Sequence, residues 1–148
     1  MVIGEAPGAE EDLAGRPFVG DAGRALNALL QEAGLDRSAV FVTNTSMCRP
    51  RARPAPTAEE VEACAPYLDL ALAVVRPAVI VALGAVAARR VLGIHAPLES
   101  LRGRAHDLGG ARVFPTWHPS GWNRAPGRRA EALDDLRQAR AALMGEHH

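Results

Sequence analysis

A sharp turn near the start of the chain constrains the fold more than any other feature of the sequence. Residues 4–8, GEAPG, follow the apolar run MVI of residues 1–3, which we interpret as the end of a β-strand. Glycine and proline at these positions rule out a regular continuation, so the backbone must turn. The turn presents Glu5 and backbone amides at the end of a strand, where open parallel sheets bind ligands. An ordinary strand-to-loop turn is the alternative for this pentapeptide alone.

Strands and helices alternate along the whole sequence. The first predicted strand ends at residues 1–3, and the other three are residues 40–44, 79–83 and 112–115. The predicted helices run from Asp21 as N-cap to Gly34, from the capping box at Thr57 to Pro77, over 85–92 and over 128–144. The sequence leaves undecided whether a short additional strand precedes Gly109. This alternation predicts an α/β/α sandwich with a four-stranded, mostly parallel sheet, in one domain of residues 1–148.

Polar or glycine residues follow each predicted strand. The four positions are Glu5, Asn44, Gly84 and His118. Because the carboxyl ends of parallel strands meet at one edge of the sheet, we expect these residues to lie together. Their convergence predicts a ligand pocket.

Composition narrows the class of protein. Apolar residues make up 48% of the 148 residues, enough for a core, and the net charge is zero. The equal numbers of positive and negative charges exclude a positive electrostatic potential over the whole surface, but a local patch of positive charge remains possible. There is no apolar run of membrane-spanning length and no signal peptide, so we expect a cytoplasmic protein without membrane contact. Two cysteines are too few for a disulfide framework.

Four motifs together resemble the uracil-DNA glycosylase superfamily, and its family 4, the thermostable iron–sulfur type, most closely. They are GEAPG at 4–8, GRPFVG at 15–20, Thr43-Asn44 before Cys48, and HPS at 118–120. The resemblance covers nearly the whole chain and implies the same α/β/α fold. It implies a monofunctional glycosylase that hydrolyses the N-glycosidic bond of deoxyuridine, releases uracil and starts base-excision repair. The implied partner is uracil-containing DNA, single- or double-stranded, and we expect a monomer.

The resemblance gives three residues a role that their chemistry supports. Asn44 would read the base, because a carboxamide offers the donor and acceptor that match uracil and mismatch cytosine. Phe18 would stack on the base. His118 would donate to uracil O2, where negative charge develops as the glycosidic bond breaks. The other expected substrate-binding residues are Gly4, Ala6, Gly8, Glu11 and Ser120.

The group that holds the hydrolytic water is less directly indicated. The best-known members of the superfamily have an aspartate where Ala6 stands, so Glu5 is the nearest candidate as polariser or water holder. Glu11 resembles a position suspected of excluding the thymine methyl group. Gly8 replaces a tyrosine that does this elsewhere in the superfamily.

The segment after His118 corresponds to the loop that enters the DNA. Trp122 would wedge into the space left by the flipped base, and Arg124 would hold a phosphate. Packing of Trp122 on the last helix is an equal alternative.

Family 4 enzymes carry a 4Fe–4S cluster on four cysteines, and Cys48 and Cys64 match the second pair. The first pair has no counterpart, because the chain begins inside the first strand. Either the chain is N-terminally truncated, or it belongs to a branch without the cluster. Since such clusters normally need four thiolates, we expect no stable cluster on this chain. We expect Cys48 and Cys64 to lie near each other as thiols or to bridge weakly to a metal.

Two other classes of function stay open from the sequence. One is a non-catalytic nucleic-acid-binding module that has kept the fold. The other is a metal-bound structural protein built around Cys48 and Cys64.

Overall fold

The computed structural model describes residues 1–6, 13–15, 18–46 and 57–145. Within these ranges there are five strands and six α-helices. The strands are β1 (Val2–Gly4), β2 (Val42–Asn44), β3 (Val79–Leu83), β4 (His106–Leu108) and β5 (Ala111–Thr116). The helices are α1 (Asp21–Glu32), α2 (Ala58–Ala63), α3 (Ala65–Val75), α4 (Ala85–Leu92), α5 (Leu98–Leu101) and α6 (Arg128–Leu143).

The strands form one sheet in the order β2-β1-β3-β5-β4. The first four strands in that order are parallel, which confirms the predicted parallel sheet, and β4 adds a fifth strand antiparallel to β5. The sequence signal for β4 is weak because this edge strand is partly exposed along its length and carries His106 and Asp107. The turn to β5 uses Gly109 and Gly110, both with positive φ.

Helices cover both faces of the sheet, which confirms the α/β/α sandwich. Val2, Val81 and Phe114 pack on one face with leucines of α1 and α6. Ile3, Ile80 and Val113 pack on the other face with side chains of α3, α4 and α5. Alternate residues of each central strand therefore enter different cores, so β3 is apolar throughout and β5 is apolar from Val113 to Pro115.

The single helix predicted between the capping box at Thr57 and Pro77 is two helices. The capping box is present: Glu60 N–H donates to Thr57 Oγ1 at 3.2 Å, and Thr57 N–H donates to Glu60 Oε1 at 2.9 Å. The chain breaks at Cys64, which ends α2 and precedes α3. Pro66 explains the break, because proline is accepted only in the first turn of a helix. Likewise, Gly20 and not Asp21 is the N-cap of α1.

Among the described residues, no helix combines the length and the apolar character that crossing a membrane requires.

Candidate active site

The four positions predicted to converge do lie at one edge of the sheet. Glu5 follows β1, Asn44 ends β2, Gly84 follows β3 and His118 follows β5 by two residues. Backbone hydrogen bonds continue past the strand ends: Ser46 N–H donates to the Glu5 carbonyl, and Gly84 N–H to the Thr116 carbonyl, each at 2.9 Å. The rim of the site is therefore held by the same kind of bonds as the sheet below it.

The side chains of Phe18 and Asn44 meet over Gly4. A Cβ atom built on Gly4 lies 2.5 Å from Phe18 Cζ and 2.6 Å from Asn44 Oδ1, both well inside van der Waals contact. Any side chain at position 4 would therefore displace one of the two. This explains the first glycine of the GEAPG turn better than backbone conformation does, since its φ is not positive.

Asn44 presents a buried acceptor. Its side chain is 5% exposed, and Oδ1 has no hydrogen-bond partner among the described residues. A buried polar atom left unpaired costs about 1–3 kcal/mol, so such atoms are rare outside functional sites. The geometry supplies one acceptor for an N–H donor that none of the described residues provides.

His118 is held as one tautomer by its neighbour Ser120. The backbone N–H of Ser120 donates to His118 Nδ1 at 3.1 Å, and Ser120 Oγ lies 2.8 Å from the same nitrogen. Because a backbone amide can only donate, Nδ1 is unprotonated and the ring proton lies on Nε2. Burial, and then the charge of Arg124, lowers the pKa of His118 to about 4. At neutral pH the ring is therefore an uncharged donor through Nε2.

The imidazole of His118 faces the aromatic ring of Phe18. Their centroids are 5.8 Å apart and their planes are inclined by 35°. Phe18 is buried, whereas His118 is only partly so.

Glu5 and His118 lie on either side of Gly84. Glu5 Oε2 accepts a hydrogen bond from Val86 N–H at 3.1 Å, in the first turn of α4. A Cβ on Gly84, whose φ is +97°, would lie 3.0 Å from Glu5 Oε2 and 3.3 Å from His118 Cβ. Burial raises the pKa of Glu5, while the Val86 hydrogen bond and the charges of Arg124 and Arg89 oppose this shift.

The loop after His118 is only partly as predicted. Trp122 is 7% exposed, donates from Nε1 to the Trp117 carbonyl at 3.1 Å and belongs to the buried cluster of α1 and α6. This arrangement favours the alternative in which Trp122 packs against the last helix. A DNA wedge at this position stays a prediction. Arg124 is exposed, and its charge acts on Glu5 and His118, so it lies beside the site.

Several expected site residues fall outside the described ranges or carry no contact. Gly8, Glu11 and Cys48 lie outside the described residues. Ala6 is partly exposed next to Glu5, and Ser120 contributes through His118.

The cysteine set does not fit the family's cluster. Cys64 is partly buried at the junction of α2 and α3. The sequence supplies two cysteines, whereas a 4Fe–4S cluster is held by four thiolates. In the part of the chain that the structure describes, no three His, Cys, Asp or Glu residues are grouped to bind a metal.

Two residues of the site region were not predicted from the sequence. Arg89 is exposed on α4, one turn after Val86, and its charge reaches Glu5. Its role depends on how α4 sits above the sheet, which no local pattern reveals. Gly23 contacts the backbone of Phe18. The sequence did contain a signal for this contact, because a glycine lowers the stability of a helix and is therefore expected there where another group approaches closely.

Comparison with known proteins adds independent findings. The family model described as the uracil DNA glycosylase superfamily matches residues 1–140. A type-4 uracil-DNA glycosylase of Thermotoga maritima is 42% identical over 150 residues, covering 99% of this chain and 78% of that protein. A type-4 enzyme of Pyrobaculum aerophilum is 40% identical, covering 92% and 74%. A type-5 uracil-DNA glycosylase of the same organism is 34% identical, covering 98% and 72%.

Proposed function

The chain belongs to the uracil-DNA glycosylase superfamily, and from this premise we propose that it is a monofunctional uracil-DNA glycosylase. It hydrolyses the N-glycosidic bond of deoxyuridine in DNA and leaves an abasic site. The observation that carries the proposal is that a buried acceptor without a partner among the described residues and an uncharged donor lie at one sheet edge. These are the buried acceptor Asn44 Oδ1 and the donor His118 Nε2–H.

Recognition of the base rests on Asn44 and Phe18. Uracil offers an N3–H donor beside the O4 acceptor, and the carboxamide of Asn44 complements both. Cytosine offers the reverse arrangement, so binding it would leave the buried Asn44 Oδ1 facing another acceptor. The ring of Phe18 provides a stacking surface, and base–aromatic stacking is worth about 1–3 kcal/mol. A base must leave the DNA helix to reach these groups.

His118 acts on the leaving group. Cleavage of the glycosidic bond leaves negative charge on uracil, shared by O2 and O4. The neutral Nε2–H of His118, already oriented by Ser120, donates to O2 and stabilises that charge as it develops. One such preorganised donor is worth roughly 3–4 kcal/mol of the activation barrier. No proton needs to be transferred from the imidazole for this effect.

Glu5 acts on the water. Its carboxylate lies across Gly84 from His118 and is fixed by the amide of Val86. In the ionised form it accepts a hydrogen bond from a water and directs the water's oxygen towards the anomeric carbon. The nearby positive charges of Arg124 and Arg89 favour the ionised form of Glu5. Both arginines are exposed and therefore accessible to DNA phosphates.

The experiment that tests the proposal uses one labelled oligonucleotide with a single uracil. After incubation with the protein, alkali cleaves the strand at any abasic site, and a denaturing gel resolves the product. We expect cleavage at uracil and no cleavage of matched strands carrying thymine or cytosine. His118→Ala, purified in parallel, controls for glycosylase from the expression host and should lose the activity. Binding of the strand without cleavage would instead support a non-catalytic DNA-binding module.

A further inference from the structure

The backbone of Phe18 adopts a conformation that residues with side chains rarely take. Its φ is +55°, in the left-handed region. Such conformations persist only where the surroundings enforce them, and they concentrate at functional sites. The proposed function requires the ring of Phe18 to stand parallel to a flipped base, so its backbone angle determines whether the ring can stack.

Gly23, inside helix α1, is the residue against which this backbone rests. A Cβ built on Gly23 lies 1.9 Å from the Phe18 carbonyl oxygen, 2.1 Å from its carbonyl carbon and 2.9 Å from its Cα. Real Cβ atoms essentially never approach this closely, and all three neighbours are backbone atoms. No flexible side-chain end can move aside, so a side chain at position 23 would push residue 18 away from the helix.

The ring of Phe18 meets a second glycine at its tip. Phe18 Cζ is 2.5 Å from where Gly4 would carry a Cβ, and Asn44 Oδ1 is 2.6 Å from the same point. Phe18 is therefore confined at both ends, by α1 at its backbone and by β1 at its ring. A displacement at Gly23 would be transmitted to the ring, because the ring tip has no free space over Gly4.

We propose that Gly23 is a positioning residue for base stacking: by lacking a side chain, it lets α1 hold Phe18 in its left-handed conformation. The consequence for catalysis rests on the proposed function, whereas the contact between Gly23 and Phe18 does not. The helix keeps a glycine in its first turn, where alanine would favour the helix more, because this close approach requires one.

The test is Gly23→Ala combined with Phe18→Ala in a double-mutant cycle. With saturating enzyme, the single-turnover rate of uracil excision should fall by at least about ten-fold in Gly23→Ala. Phe18→Ala should show a loss at least as large, and the double variant should be no slower than Phe18→Ala alone. The matched control is Asn27→Ala, which adds an alanine at an exposed position of the same helix and should keep the wild-type rate.

A second readout separates this inference from the proposed function. The protein has three phenylalanines, so selective labelling gives ring signals for Phe18, Phe41 and Phe114. Gly23→Ala should shift the Phe18 signals and leave those of Phe41 and Phe114 in place, whether or not the wild-type protein excises uracil. Unchanged Phe18 signals in Gly23→Ala would overturn the inference. So would a finding that Gly23→Ala lowers the excision rate by the same factor in the wild-type and Phe18→Ala backgrounds.

If Gly23→Ala does not fold, the inference can still be tested on the wild-type protein by nuclear magnetic resonance. A nuclear Overhauser effect between the Hα protons of Gly23 and Phe18, with a coupling constant for positive φ at Phe18, supports the inference. Their absence overturns it.

Discussion

At the scale of single residues, we propose that Asn44 carries the selectivity for the base. Asn44→Ala removes the buried acceptor. We expect the rate of uracil excision to fall roughly 100-fold or more, because the variant cannot form the hydrogen bond that recognises the base. The free energy of unfolding should change little, because the deleted Oδ1 has no partner within the described protein. Single-turnover excision and urea denaturation measure the two effects. Thr43→Ala, one residue earlier in β2, is the control, and near-wild-type excision by Asn44→Ala would remove Asn44 from the site.

We expect Glu5 and His118 to affect the pH dependence of the excision rate differently. Burial raises the pKa of Glu5, and the ionised form is the one that we propose directs the water. The rate should therefore rise with pH through a value above that of an ordinary glutamate. Glu5→Gln should lower the rate and abolish this rise. His118, with a pKa of about 4, is already neutral across that range and should contribute no titration there.

The matched comparison is His118→Ala. It should lower the rate by about 10²- to 10³-fold while keeping the rise that Glu5 causes. Nitrogen-15 shifts of the wild-type His118 imidazole should show the Nε2–H tautomer down to acidic pH. A midpoint for His118 near that of a free histidine would contradict the neutral-donor mechanism.

At the scale of secondary-structure elements, a buried ion pair fixes the end of β5 two residues before His118. Asp135 of α6 is 1% exposed and accepts from Arg102 at 2.9 and 3.0 Å and from Thr116 Oγ1 at 2.6 Å. Arg102 also pairs with Glu131 at 2.8 Å. The strand that delivers His118 is therefore tied to α6 by charged hydrogen bonds as well as by apolar packing.

This anchor should matter for stability. Asp135→Ala removes the buried acceptor of Thr116 and Arg102, whereas Arg102 keeps Glu131, so the free energy of unfolding should fall by about 1–3 kcal/mol. Asp134→Ala, at the adjacent exposed position of the same helix, should change it by no more than about 0.5 kcal/mol. Urea denaturation of the two variants gives the comparison. Equal effects would mean that the ion pair does not stabilise the strand end.

The elements that the sequence predicted are those with a local cause. The buried strands, the capping box at Thr57 and the convergence of Glu5, Asn44 and His118 follow from apolar runs and parallel topology. The break of the helix at Cys64 depended on one proline, and β4 is a three-residue edge strand that no buried apolar run marks. The burial of Trp122 arises from packing between elements far apart in sequence, whereas the contact of Gly23 with Phe18 is local but depends on the unusual backbone conformation of Phe18.

At the scale of the whole molecule, the sequence offers too few thiolates for the cluster that its family implies. The sequence contains two cysteines, one of which is Cys64 between α2 and α3, whereas a 4Fe–4S cluster needs four ligands. We expect protein of this sequence, purified anaerobically, to be colourless, with iron and sulfide well below one equivalent. Iron and sulfide assays with an absorption spectrum measure this. A brown protein with stoichiometric iron on these residues would contradict it.

DNA binding by a molecule of zero net charge must come from local charge. Arg124 and Arg89 are exposed beside Glu5, whereas Arg90 is paired with Asp69 at 2.7 Å. Each phosphate contact releases about one counterion, so the logarithm of the affinity should fall linearly with the logarithm of salt concentration. Arg124→Ala and Arg89→Ala should each reduce the slope by about one ion.

The control for this measurement is Arg90→Ala, next to Arg89 on the same helix. Because the guanidinium of Arg90 is engaged by Asp69, its removal should leave the slope of the salt dependence unchanged. Binding of a uracil-containing duplex to an inactive His118→Ala background, measured by fluorescence anisotropy over a salt series, keeps the substrate intact throughout. A slope that does not change in Arg89→Ala but falls in Arg90→Ala would place the DNA on the α3 side of α4. A flat salt dependence of the wild-type protein would mean that phosphates contribute nothing, and the site would then lack the electrostatic contact that a DNA substrate requires.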